Sequence, residues 1–408
     1  MKKFLLFMFG LCVSLNTNAE TVPGITYPFS LTTTEIAVDG TFKFMLSASG
    51  TFYVDCGTGG NLSSDDSTAN AMISGGTIAK TNTTNYTFKC AYSTAGTKTI
   101  QFGGEATAYN TGTTTAAISF STDATHANSL LVSSISGNLS VIFPYLGHAS
   151  GQVPRFYQTF ALAKITSIPE TLFANYIGDL SGASYMFYRT FYYVYIGYLT
   201  QIPENLFSGI TVAAPYMFYG TFNGCVFLTS IPENLFANIT NSAKGMFFYT
   251  FYDCSYLKSL PKRLFSHFTT AAPSMFQGTF EDCRDLRGYV PPTLFAGLIA
   301  NNSPYATDMM TNIFGFNIRP ANNLDISCPN GTSQVTTGYE QYWGTGNGNA
   351  VSCSPNTLNV NWWNDDSQIS VGSESQSCTY GDYITVPTTN ATKPGYHFGG
   401  WKVKTVNP

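Results

Sequence analysis

Charge is what this chain has least of. Asp, Glu, Lys and Arg make up 10% of its 408 residues, against roughly 25% in an average soluble protein. The formal net charge of −4 is gathered into no stripe, so neither nucleic acid nor an anionic lipid surface is an expected partner. Histidine is nearly as scarce: His126, His148, His267 and His397 are scattered over three segments. No GxSxG, HExxH or P-loop string occurs. The adjacent acids Glu281 and Asp282 would not flank a glycosidic bond. No enzyme activity, cofactor or metal site is therefore expected. No CxxC pair is present, which argues against a zinc ribbon or a thioredoxin-type redox site.

Long apolar runs are missing too. The longest, Phe4 to Leu15, falls short of the roughly 20 residues needed to span a bilayer. It lies in "MKKFLLFMFGLCVSLNTNA", where two lysines precede it and a polar stretch ending in Ala19 follows. That is the layout of a secretory signal peptide. Residues 1–19 are read as a signal cleaved after Ala19, leaving a secreted or cell-surface protein without a transmembrane span. Cys12 is a poor lipid acceptor because Leu11 stands where a lipoprotein signal needs a small residue. Thr, Ser, Asn, Gly and Tyr supply the polarity, as in many secreted surface proteins.

Eight cysteines remain after processing: Cys56 and Cys90; then Cys225, Cys254 and Cys283 at intervals of 29; then Cys328, Cys353 and Cys378 at intervals of 25. The first pair lies in residues 20–148, where short alternating runs such as "FKFMLSASGTFYVDCG" and "NYTFKCAYSTAGTKTIQFGG" separated by turn residues predict an antiparallel β-sandwich. Each cysteine sits within a predicted strand, so a Cys56–Cys90 disulfide is expected whether the strands are adjacent or facing. The phrases "GTFYVDCGTGG" and "YSTAGTKTIQFGG" resemble polycystic-kidney-disease-type sandwich modules over some 60 residues. Asp65 and Asp66 are weighed as a calcium pair and as a solvated loop, the second being preferred.

Residues 149–318 repeat. "TFALAKITSIPETLF" from Thr159 returns from Thr190, as "TFNGCVFLTSIPENLF" from Thr221, as "TFYDCSYLKSLPKRLF" from Thr250, and again from Thr279. Pro169, Pro203, Pro232 and Pro261 are 34, 29 and 29 residues apart, so about five repeats of 29–34 residues form an expected stacked array. Phe218, Phe222 and Cys225 stand at i, i+4 and i+7, which reads as one helix face. "FLTSIP" reads as a short strand ended by proline, and "PENLF" as a helical turn starting at proline. The repeat cysteines read as small buried groups, since Ala163 and Val194 take their place in earlier copies.

The pattern F-x-x-C-x-x-L-x-x-I-P resembles the BspA-like class of leucine-rich repeats. That resemblance implies a central α/β leucine-rich-repeat solenoid and a binding protein of the cell surface. Positions facing away from the expected core are Thr166 and Ser167, Thr200 and Gln201, Thr229 and Ser230, Lys258 and Ser259, and Arg287 and Gly288. This mostly uncharged face suits hydrogen bonding to a partner. A second candidate is Tyr192, Tyr193, Tyr195 and Tyr198, since tyrosines bring rigid area and a hydroxyl to protein or sugar contacts.

Residues 319–355 form a Gly/Asn-rich loop bounded by Cys328 and Cys353, the preferred pair there, with Cys378 left over or exchanging roles with one of them. Residues 356–408, with "CTYGDYITVP" and "PGYHFGGW", resemble the Listeria-Bacteroides repeat, a small β-rich, β-grasp-like module of surface proteins. There Tyr396, Phe398 and Trp401 are read as a miniature core. The expected architecture is thus multidomain: β-sandwich, repeat solenoid and small β module. The family resemblance implies an adhesin recognising a protein or glycan. An envelope-assembly or spacer protein is the main rival, and a secreted hydrolase the least favoured reading.

Overall fold

The computed structural model describes residues 24–194, 199–286, 291, 293–301, 306–310 and 313. It also describes the backbone of four short strands, Thr357–Val360, Trp363–Asn364, Ser367–Gln368 and Gln376–Thr379. The contacts divide the chain into two units, one running to Tyr176 and including Met186–Tyr198, the other comprising Ile177–Tyr185 and the chain from Leu199 on.

In the first unit, ten strands form two antiparallel sheets. They are β1 (Phe29–Thr33), β2 (Thr41–Leu46), β3 (Ser49–Asp55), β4 (Gly60–Ser63), β5 (Ile73–Ser74), β6 (Thr77–Lys80), β7 (Tyr86–Tyr92), β8 (Thr99–Ala108), β9 (Ile118–Ser119) and β10 (Val132–Gly137). One sheet has the order β10-β1-β8-β3-β6-β5 and the other β4-β7-β2-β9. In β2, Phe42, Phe44 and Leu46 are buried while Thr41, Lys43 and Met45 are not, the period-two pattern of a sheet with one solvated face. The buried rings meet between the sheets, Phe44 of β2 standing edge-on to Phe102 of β8 at 5.2 Å. Cys56, just after β3, joins Cys90 of β7, with Cα atoms 5.5 Å apart. The bridge therefore ties facing sheets and closes a separation of 34 residues, worth about 4 kcal/mol by loop entropy. Gly104 permits the close approach of β8 to β3, since a Cβ there would lie 2.1 Å from the Thr51 carbonyl oxygen.

The first repeat continues the edge of the smaller sheet. Phe120 N–H donates to the Thr159 carbonyl (3.1 Å) and the Thr159 hydroxyl to the Ile118 carbonyl (2.8 Å). Phe160 packs against Phe120 at 5.5 Å and Phe29 at 6.2 Å. The next layer is hydrogen-bonded onto this one: the N–H groups of Phe156, Phe160 and Leu162 reach the carbonyls of Met186, Thr190 and Tyr192.

In the second unit the repeats stack by the same rule. The N–H groups of Phe218, Phe222 and Gly224 donate to Met246, Thr250 and Tyr252, and those of Phe247, Phe251 and Asp253 to Met275, Thr279 and Glu281. The intervening N–H groups turn back within their own repeat, Thr221 to Phe218, Asn223 to Gly220 and Cys225 to Phe222. Every fourth residue has positive φ: Tyr216, Gly220 and Gly224, then Gly245, Tyr249 and Asp253, then Ser274, Gly278 and Asp282. The result is a ribbon of linked tight turns. Two residues point in and two out: Met246, Phe247, Thr250, Phe251 and Cys254 are buried, while Phe248, Tyr249, Tyr252 and Asp253 are half-buried.

The α/β leucine-rich-repeat solenoid expected from the sequence is not what forms. Among the described residues there are three short α-helices, Ser67–Asn70, Leu139–Ile142 and Ala296–Ala300, and the rest is mainly antiparallel sheet and turns. Phe218, Phe222 and Cys225 lie on a turn ribbon of period four, not on a helix, and spacings of four fit both geometries. Leu228 to Ile231 pairs as no strand. In "PENLF" the bonds run from Leu235 N–H to the Pro232 carbonyl and from Ala237 to Asn234, three residues back, as in isolated tight turns. Among the described residues of this unit's repeats, the strands β11 (Gly178–Asp179) and β12 (Ile210–Val212) form a short parallel pair.

Stacking in register explains the recurrent Thr-Phe. Phe218, Phe247 and Phe276 form one column, Phe222, Phe251 and Phe280 a second, and Phe207, Phe236, Phe265 and Phe295 a third. Neighbouring centroids are 5.6 to 6.3 Å apart with planes within 14° of parallel. The buried Thr250 hydroxyl donates to the Phe218 carbonyl and that of Thr279 to Phe247, both at 2.9 Å. Thr250→Val is expected to cost about 1 kcal/mol, since the Phe218 carbonyl keeps the Thr221 N–H, whereas Phe251→Ala should cost about 3–5 kcal/mol. Urea unfolding of both variants checks the order, and equal costs would mean that the phenylalanine column contributes no more than one hydroxyl.

Candidate binding surfaces

Thr200, Gln201, Thr229, Ser230, Lys258 and Ser259 are all exposed. Backbone bonds hold them in register: Thr229 N–H donates to the Thr200 carbonyl (3.1 Å) and Lys258 N–H to that of Thr229 (3.3 Å). The Thr229 hydroxyl also reaches the Thr200 carbonyl at 3.3 Å. Equivalent dipeptides therefore line up without being a strand. Lys258 pairs with Asp285 at 2.9 Å and lies 5.7 Å from the centroid of Tyr256, a ring that stacks on Phe227 at 5.2 Å. Arg287 and Gly288 lie outside the described residues. Thr166 and Ser167, in the first unit, are exposed as well.

Tyr192 and Tyr193 sit on the first unit's turn ribbon, half-buried, with ring centroids 4.5 Å apart and edge to face. Sequence reasoning missed their neighbours. The Arg189 guanidinium lies over the rings of Tyr188 and Tyr192 at 5.4 and 4.8 Å, and Tyr157 meets Tyr188 at 5.0 Å. The signal was the spacing of Tyr157 and Tyr188, which matches that of Thr159 and Thr190. Burial, then the neighbouring Tyr188, pushes the Tyr157 phenol above its usual range. Tyr195 and Tyr198 lie outside the described residues, as do the signal segment, the Cys328–Cys353 pairing and the Tyr396–Trp401 core. The backbone of Cys378 pairs with Leu358.

In the second unit, outward aromatics stack on one another instead of standing free. Tyr185 lies on Tyr216 at 5.0 Å and 11°, and Tyr219 on Phe248 at 4.9 Å and 7°. Tyr249 covers Gly278, where a Cβ would lie 2.1 Å from its ring. With φ of +61°, that position requires glycine twice over.

Asp65 and Asp66 are not arranged as a calcium pair. Asp66 caps the Ser67–Asn70 helix, accepting from the N–H groups of Thr68 and Ala69, and Asp65 forms an ion pair with Lys89. That ion pair, through its hydrogen bond first, holds the Asp65 carboxyl below its usual range. Among the described residues no group of three or more His, Cys, Asp or Glu side chains is placed to hold a metal ion.

Cys225, Cys254 and Cys283 are buried and in no disulfide. The thiols of Cys254 and Cys283 point at the carbonyls of Phe222 (3.5 Å) and Phe251 (3.3 Å). Burial pushes both well above the usual thiol range, the opposite of an activated nucleophile. No protein-family model, curated protein or solved structure matches this chain. Its function must therefore be argued from its own geometry.

Two outcomes follow from these environments. The repeat thiols should resist an aromatic disulfide reagent in the folded chain and react once urea unfolds it; fast labelling in buffer would contradict their burial. Burial, then Asp282, raises Glu281 from 4.5 to about 7. The folded chain thus holds this proton more tightly than the unfolded one. The stabilisation is full below about pH 4.5 and is lost as pH rises through about 7. Glu281→Gln should flatten that slope in unfolding midpoints between pH 5 and pH 8, values bracketing the shift; an unchanged slope would show that Glu281 titrates as in the unfolded chain.

Proposed function

We propose that this chain is a secreted or cell-surface binding protein, an adhesin, that meets a protein or glycan partner through the exposed face carrying Thr200, Gln201, Thr229, Ser230, Lys258 and Ser259. The observation behind this reading is the register of that face: two backbone bonds fix three dipeptides at equivalent repeat positions, all exposed. A rigid row of hydroxyl, amide and ammonium groups can bind a partner with little ordering cost. Its single net charge from Lys258, itself paired with Asp285, makes hydrogen bonding the main source of specificity. The signal-like first 19 residues and the Cys56–Cys90 disulfide support the location. No helix among the described residues is long and apolar enough to cross a membrane.

One observation favours the rival reading, an envelope-assembly or spacer protein. The outward rings of Tyr185, Tyr216, Tyr219 and Phe248 spend their faces on each other, which stiffens the stack and leaves mainly edges for a partner.

The full-length secreted chain should bind saturably to one member of a panel of extracellular-matrix proteins and glycans. Thr229→Glu with Lys258→Glu should weaken that binding about tenfold or more, as loss of several polar contacts implies. A chain that unfolds cooperatively yet binds nothing would favour the assembly or spacer reading.

A further inference from the structure

Lys43 on β2 and Lys89 on β7 stand directly opposite each other. Both point away from the core, since their strand neighbours Phe42, Phe44, Phe88 and Cys90 are buried. Like charges directly across an antiparallel pair repel, and one counter-ion serves both. Asp65 is ion-paired with Lys89, whereas the Lys43 ammonium has no hydrogen bond or ion pair among the described residues. The nearby Asp66 is engaged in capping, its Oδ1 accepting from Thr68 and Ala69 at 2.8 and 3.0 Å.

The strand beneath Lys43 is fixed by a buried amide. Asn128 accepts from the Lys43 N–H at 2.6 Å and donates to the Lys43 carbonyl at 2.5 Å, and it also donates to the Phe120 carbonyl at 2.8 Å. Asn128 thus replaces a missing strand neighbour at that residue. Lys43, Lys89, Asp65 and Asp66 then line a cavity of about 290 Å³ together with Asn85, Tyr86 and Thr87. The Tyr86 ring is held by the Lys80 ammonium, 5.3 Å from its centroid.

We propose that this cavity binds a carboxylated sugar residue, its carboxylate on the Lys43 ammonium and its hydroxyls shared with Asp65 and Asn85. The Lys43 ammonium, which shares Asp65 with Lys89 but touches no acceptor among the described residues, can still take a direct negative partner. The carboxylates of Asp65 and Asp66 disfavour a phosphate dianion but accept from hydroxyl donors. A volume near the lower end of ligand cavities suits one monosaccharide. The site shares no residue with the repeat face and does not depend on it.

The test is a calorimetric or NMR titration of the full chain with glucuronate and N-acetylneuraminate, beside glucose, galactose and inorganic phosphate. Saturable binding of an acidic sugar is expected, about tenfold weaker in Lys43→Gln, partly restored in Lys43→Arg, weakened in Asn85→Ala and unchanged in Ile177→Ala, an exposed position outside both surfaces. Lys43→Gln should melt no lower than the parent because it relieves the lysine repulsion. No saturable response to either acidic sugar overturns the proposal. So does equal binding by Lys43→Gln, or tighter binding of phosphate.

Discussion

The repeat layers depend on how the backbone divides its N–H groups. In the turn ribbon one set donates three residues back and the alternate set donates to the next repeat. Few donors are left for helix or strand pairing, so the ribbon satisfies a buried backbone without either. The division requires positive φ at every fourth residue, which costs a non-glycine residue roughly 1–2 kcal/mol. The second unit uses glycine at Gly220, Gly224, Gly245 and Gly278, but Tyr216, Tyr249, Asp253, Ser274 and Asp282 accept the same conformation. Stacking of the adjoining layers offsets that strain. Equivalent residues then fall one above another, and the repeated Thr-Phe string becomes a column of rings with a hydroxyl bonded to the preceding layer.

Much of this order was legible in the amino-acid sequence, and the parts that were not share a physical cause. The period of 29, the buried cysteines and the exposed dipeptides follow from repetition, because identical environments demand identical residues. The type of local structure did not follow. Apolar residues at i, i+4 and i+7 suit a helix and a four-residue ribbon alike, and the helix reading took the commoner option. Residues with positive φ carry the distinction: Gly220, Gly224, Gly245, Asp253, Gly278 and Asp282 put a glycine or aspartate at most of the fourth positions, a pattern no helix needs. The Arg189 guanidinium over Tyr188 and Tyr192 escaped notice for another reason. Its partners lie one residue before it and three after it on the same turn ribbon, a proximity that depends on the ribbon's local geometry.

The two surfaces differ in how they manage polarity. The repeat face presents hydroxyls and amides whose positions are set by backbone bonds, so its geometry is rigid while its charge is nearly cancelled by the Lys258–Asp285 pair. The outer face of the smaller sheet does the reverse. It sets Lys43 against Lys89, holds the strand with Asn128 and leaves the two ammonium groups to share Asp65, which is in contact with Lys89 alone.

The same stacking accounts for the scarcity of charge. Layers bonded through the backbone lie about 5 Å apart, a distance at which stacked rings attract and equal charges near a protein surface repel by a few kcal/mol. Charged positions in the repeats therefore tend to meet a neutral or opposite partner. Glu204 receives the Asn234 amide at 2.6 Å, Glu233 faces the Lys262 N–H at 3.4 Å, and Lys258 pairs with Asp285. The exception is instructive: Asp253 and Asp282 occupy equivalent positions in successive layers. Burial, only partly offset by the Ser255 hydroxyl and Arg284, raises the Asp253 carboxyl, and Asp282 adds to the rise. A sequence that repeats itself in register can repeat phenylalanine at little cost. A repeated carboxylate instead needs a donor in each layer, as at Glu204 and Glu233, or is shifted toward its neutral form, as at Asp253, and that asymmetry favours few charges in the repeats.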